Sequence, residues 1–105
     1  MATRTFTRTR RIRTALSTFG NTTAGGTISL SQSYANFDQI EIRCGSNGSG
    51  GIHLETFPVY YINSSDEYNI SYAGNSGVLK FPTETSIKFE SGTGQIRQIS
   101  GISYR

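Results

Sequence analysis

The chain contains one cysteine, one histidine, two prolines and no tryptophan. A single thiol excludes an intrachain disulfide and any CxxC or Cys/His zinc arrangement. Standing at the end of an apolar alternation, Cys44 reads as a small buried hydrophobe. No run of apolar residues is long enough for a transmembrane helix, so no membrane insertion is expected. The N-terminal charges have no apolar stretch behind them, so no secretory signal is expected. The strong helix formers Ala, Leu, Glu and Lys are sparse, and apolar residues never recur at i, i+3, i+4, i+7 over three turns. An α-helical fold is thereby excluded.

What the sequence does hold is Thr, Ser, Ile, Tyr, Phe and Gly, arranged as short alternating runs between turns. TISL (27–30) places Ile28 and Leu30 on one face. DQIEIRC (38–44) is the cleanest case, with Ile40, Ile42 and Cys44 inward and Gln39, Glu41 and Arg43 outward. GIHLETF (51–57) predicts Ile52 and Leu54 on the buried face, with His53 and Glu55 outside. VYYI (59–62) follows Pro58 as an edge strand or strand start. EYNISY (67–72), GVLKF (77–81), TSIKFES (85–91) and QIRQISGISYR (95–105) complete the set, and the last predicts a bulge at Ser100-Gly101. GSNGSGG (45–51), NSSD (63–66), AGNSG (73–77), FPTET (81–85) and SGTG (91–94) are turn chemistry. SQSYANFD (31–38) is a longer loop whose Tyr34 and Phe37 are expected to fold back onto the rim. About eight short strands at this spacing predict an all-β fold, an antiparallel, jelly-roll-like β-sandwich. Residues 21–105 are taken as the sandwich and 1–20 as a basic N-terminal arm or edge strand.

The net charge of +3 conceals an asymmetry. Arg4, Arg8, Arg10, Arg11 and Arg13 give the first thirteen residues +5, while the remainder sets five bases against seven acids, or −2. A mildly acidic body therefore carries a basic leader. Thr5, Thr7 and Thr9 alternate with Phe6, Arg8 and Arg10, which reads as extended chain rather than the amphipathic helix of a targeting peptide.

Nothing in the chain forms a recognisable catalytic constellation. His53 lies on the polar side of its predicted strand without a partner, and the acids are scattered one to a strand or turn. Asp66-Glu67 belong to a solvated turn, and GSNGSGG lacks the helix and the GK[ST] of a phosphate cradle. No enzyme activity, cofactor or metal site is expected. The tyrosines are the more useful signal. Tyr60 and Tyr61, as strand neighbours, would point to opposite faces. With Tyr68, Tyr72 and the loops 45–51 and 73–77 they are candidate contacts for a glycan or receptor. The aromatic residues of the body are interleaved with Asn, Ser and acids rather than Lys and Arg, so nucleic acid is not expected as a partner of the body.

GTISLSQSYANFDQIEIRC (26–44) and IRQISGISYR (96–105) together resemble a domain pattern that recurs in tail-fibre and other tail-tip proteins of tailed bacteriophages. The resemblance implies a compact β-sandwich in a virion structural protein, a tip, adaptor or decoration protein, often trimeric. It implies no catalytic residues. The expected location is then the virion, assembled in the bacterial host cytoplasm, with other tail or capsid proteins as partners and a homo-oligomer, a trimer in the first instance. Arg4, Phe6, Arg8, Arg10, Arg11 and Arg13 would form the attachment arm, complementing an acidic groove on the particle. The alternatives are a host receptor or glycan-binding module, and a nucleic-acid-binding protein acting through the leader.

Overall fold

The computed structural model describes residues 10–45, 52–72 and 74–104. Eight strands follow in chain order: β1 (Arg11–Ala15), β2 (Thr27–Ser29), β3 (Gln39–Gly45), β4 (Ile52–Pro58), β5 (Tyr68–Tyr72), β6 (Asn75–Thr83), β7 (Ser86–Gly92) and β8 (Gln95–Tyr104). Alternation gives each strand one apolar face, and two sheets placed face to face bury both sets. One antiparallel sheet runs β1-β8-β3-β4 and the other β2-β7-β6-β5. The outer strands of the chain nest, β1 on β8 and β2 on β7, while β3–β4 and β5–β6–β7 are successive antiparallel neighbours.

The core lies between the sheets. Ile40, Ile42 and Cys44 of β3, with Ile96 and Ile99 of β8, meet Leu79 and Phe81 of β6 and Ile87 and Phe89 of β7. Tyr34, in a short 3-10 helix (Tyr34–Asn36), packs edge-on against Phe81 at 5.7 Å between centroids. The loop before β3 thus folds back on the rim as expected. Burial pushes the Cys44 thiol up to about 12, with a further contribution from Glu55.

Three expectations need correcting. Val59–Tyr61 is a 3-10 helix rather than a strand, because the chain must leave the sheet after Pro58 and turn toward β5. The eighth strand comes from the N-terminal segment, as the edge-strand reading of residues 1–20 allowed: β1 pairs along its length with β8, and Leu16 just after it is buried in the core. The bulge is not at Ser100-Gly101. Arg43 and Cys44 oppose Gln98 and Ile96, which leaves Arg97 as the extra residue. Gly101 has a different purpose, because the ring of Phe37 occupies the space where a Cβ would stand.

The third correction is the face of β4. His53, Glu55 and Phe57 share the inner side with Cys44, Ile42 and Ile40, their partners on β3. Ile52 and Leu54 therefore face outward, 54% and 48% exposed. Phe57 decides the choice: its ring packs edge-on against Tyr68 and Phe81. With a period of two, burying Phe57 turns Leu54 to the outside. His53 is accordingly half-buried, stacked on Tyr72 at 5.1 Å, not a free surface residue. No helix among the described residues is long and apolar enough to cross a membrane.

Candidate functional site

Strand register places Arg11, Arg13, Glu41 and Arg43 on the outer face of the first sheet, and the Arg97 side chain lies there across Gly45. Glu41 is the one acid that the register sets among these arginines, and it is 4% exposed. Arg11 Nη2 donates to its Oε2 at 2.8 Å, Arg13 Nη2 to the same oxygen at 3.1 Å, and Arg13 Nε lies 2.8 Å from Oε1. Burial alone would raise the Glu41 pKa. The hydrogen bonds and charges of Arg11 and Arg13 outweigh burial and hold the carboxyl below its ordinary value. The pair of arginines thus straddles β8 and clamps β1 to β3, and their charge is largely spent inside the molecule.

Toward the other end of this face lies an apolar, cationic patch. The Arg43 guanidinium sits 5.4 Å over the ring of Phe19, which is itself exposed. Leu54 is the register partner of Arg43, and Ile52 that of Gly45. The Arg43 Nε is buried with no hydrogen-bond partner among the described residues.

A second surface forms where β1 begins, β8 ends, β3 begins and β4 ends. Tyr60 and Tyr61 stand there, 79% and 65% exposed, with ring centroids 4.4 Å apart. Their 3-10 helix is held by Val59 N–H donating to Asp38 O and Ile62 N–H donating to Val59 O. The Tyr68 hydroxyl adds a third restraint, donating to Tyr61 O and accepting from Asn63 N–H. The two rings lie side by side instead of on opposite faces. Hydrogen bonding to Tyr61 raises the Tyr60 phenol above its ordinary value.

The same pole gathers acids. Asp38 Oδ2 accepts from Tyr104 N–H, Asp66 Oδ2 from Asn63 Nδ2 within the turn after Tyr61, and Glu84 Oε1 from Ser33 Oγ. All three are exposed, and none pairs with a described cation. Glu41, Glu67 and Glu90 each have one within reach, and Glu55 Oε2 lies 3.4 Å from His53 Nε2.

Of the residues singled out in the sequence, Arg4, Phe6 and Arg8 lie outside the described residues, as does the loop 46–51 with Ala73. Arg10 is exposed beside β1, and Arg11 and Arg13 are bound to Glu41. Tyr60 and Tyr61 are available; Tyr68 and Tyr72 are not. Tyr68 turns its ring onto Phe81 at 5.2 Å, and Tyr72 is buried, its hydroxyl donating to Gly45 O at 2.9 Å. Burial raises the Tyr72 phenol, and the nearby Cys44 adds to the shift. Sequence reasoning missed Glu41, Phe19 and the pole of carboxylates. The one available signal was an acid set in the cleanest strand of a chain whose leader is all arginine. Among the described residues, no three His, Cys, Asp or Glu side chains gather as a metal site. Against known protein families and curated proteins, the sequence finds no match.

Proposed function

We propose that this chain is a structural module of a phage virion, of the tail-fibre, tail-tip or decoration kind, attached through its basic N-terminal segment. The resemblance of residues 26–44 and 96–105 supplies the setting. The observation that carries the attachment is the clamp of Arg11 and Arg13 on buried Glu41. It fastens β1 across β8 to the centre of the sheet, so the leader is mounted on the rigid sandwich from Arg10 outward. A segment fixed at its base transmits load to the domain and presents Arg4, Arg8 and Arg10 to an acidic partner surface. In this reading the apolar patch of Phe19, Ile52 and Leu54 is a further contact with neighbouring virion subunits.

Removing residues 1–9 leaves every described residue in place. The shortened protein is expected to fold and to fail to incorporate into particles; normal incorporation overturns the attachment role. A receptor-binding reading retains one supporting observation, the exposed pair Tyr60 and Tyr61. It predicts glycan or whole-cell binding that Y60A/Y61A abolishes and that Tyr68→Phe spares.

A further inference from the structure

Of the four strands that end a sheet, β1, β4, β2 and β5, three are unsuited to pairing with another chain. β1 sets Arg11 and Arg13 on the outer face, β2 has three residues, and β5 exposes Asn69 and Ser71. Such charge, brevity and polarity are the usual protections of a sheet edge. β4 has none of them: it runs seven residues without a register shift, carries no lysine or arginine, and exposes Ile52 and Leu54. Two contacts fix the phase of its hydrogen bonds. Val59 N–H donates to Asp38 O one step beyond the Gln39–Pro58 pair, so His53, Glu55 and Phe57 turn their peptide groups to β3. Leu16 N–H donates to Ile99 O, which therefore points away from its β3 partner Ile42 and sets the same phase. Ile52, Leu54 and Thr56 consequently direct their N–H and C=O groups toward the open edge, where no described residue takes them up.

We infer that β4 pairs with β4 of a second copy, antiparallel about a two-fold axis through Leu54, joining two four-stranded sheets into one. In that register Leu54 meets the partner's Leu54 and Ile52 meets the partner's Thr56, each pair exchanging both backbone hydrogen bonds. On the inner side His53 stands opposite the partner's Glu55, and Glu55 opposite the partner's His53. These are the non-hydrogen-bonded positions, where side chains come closest and complementary pairs stabilise a sheet. His53 Nε2 is buried and makes no hydrogen bond among the described residues, with Glu55 Oε2 of its own strand 3.4 Å away. The partner's carboxylate offers it an acceptor. Other registers lose this match. An axis on Glu55 or on His53 opposes like residues, and an axis on Thr56 pairs Leu54 with Pro58, which has no N–H. The edge is thus complementary to itself, which selects a second copy as its occupant. This gives a partner to the apolar patch that the virion reading leaves to neighbouring subunits, but it rests on the geometry of the strand alone.

The association of the full chain in solution tests the inference. The contact is small for a protein interface, so a Kd on the order of 100 µM is expected. Sedimentation equilibrium from about 5 µM to about 1 mM should show the mass climbing from 11.5 kDa toward twice that value. Leu54→Lys sets like charges against each other at the axis, and Thr56→Pro removes an outward N–H where an open edge tolerates proline. Each should raise Kd about tenfold or more, with the melting temperature of the dilute protein unchanged. Oxidation of single-cysteine variants reads the register, since paired Cα atoms about 5.5 Å apart lie within disulfide reach. Leu54→Cys alone should form a covalent dimer, whereas Ile52→Cys and Thr56→Cys should do so only when mixed with each other. Cys44 is buried and takes no part. A mass of one chain throughout, or a dimer that neither Leu54→Lys nor Thr56→Pro weakens, overturns the inference. So does cross-linking of Ile52→Cys alone as fast as Leu54→Cys. A monomeric result leaves the attachment role standing, because removal of residues 1–9 tests that separately.

Discussion

Glu41 shows how a single residue sets the pH response of the fold. It lies outside the core, yet it is covered by Arg11 and Arg13, both themselves partly solvated. Replacing it with Gln should cost about 1–2 kcal/mol, because two charge-assisted hydrogen bonds weaken while the arginines can still reach water. Its carboxyl is held below the ordinary value in the folded state, so its stabilisation is complete above the unfolded carboxylate range. That stabilisation is lost as pH falls through the lowered folded value. Urea midpoints of the parent and E41Q should therefore differ at pH 7 and draw together as pH falls below the ordinary carboxylate range. Cys44 behaves oppositely: with its thiol pushed up to about 12, it should resist a thiol-specific reagent at pH 8 until the protein is unfolded. Gly101→Ala should cost about 1–3 kcal/mol in chemical denaturation, since the new methyl displaces the ring of Phe37.

At the scale of elements, β4 and β1 are the two edges of the first sheet and are stabilised differently. β4 is held from inside by Phe57, and its apolar residues Ile52 and Leu54 face out. Leu54→Ser should therefore change stability by less than about 0.5 kcal/mol, whereas Ile42→Ala on neighbouring β3 should cost about 2–5 kcal/mol. A large loss at Leu54 would mean that the strand presents its other face. β1 has little apolar area of its own, and its attachment leans on the Glu41 clamp together with Leu16 behind it. Truncation through residue 13 should consequently destabilise the domain in urea titration by about 1–3 kcal/mol, because it removes the hydrogen bonds of Arg11 and Arg13 to Glu41 and most of the pairing of β1 with β8, while truncation through residue 9 should not.

Across the whole molecule, charge is sorted by position. The described arginines all belong to the first sheet or its approach, and Lys80 and Lys88 lie on the second, paired with Glu67 and Glu90. Because Arg11 and Arg13 are engaged with Glu41, at most three arginines of the leader are left for an external anion. Binding to duplex DNA should be weak, with a log–log salt slope no steeper than roughly −3. A slope beyond −4 would show that Arg11 and Arg13 leave Glu41 to bind phosphate.

The all-β class, the turns within 63–66, 81–85 and 91–94, the buried Cys44 and the contrast between basic leader and acidic body were legible in the sequence. Each depends on neighbours a few residues apart: period-two alternation, Gly and Asn at turns, and simple charge counts. The face of β4 was not legible, because Leu54 and Phe57 compete for the core and only the facing Tyr68 and Phe81 choose between them. Nor was the fate of Arg11 and Arg13, whose partner lies 30 and 28 residues away and becomes adjacent only when β8 lies between β1 and β3. The pole of Asp38, Asp66 and Glu84 likewise exists only because loops remote in sequence end at the same end of the sandwich. Local alternation fixes what a strand is; strand order and packing decide what it meets.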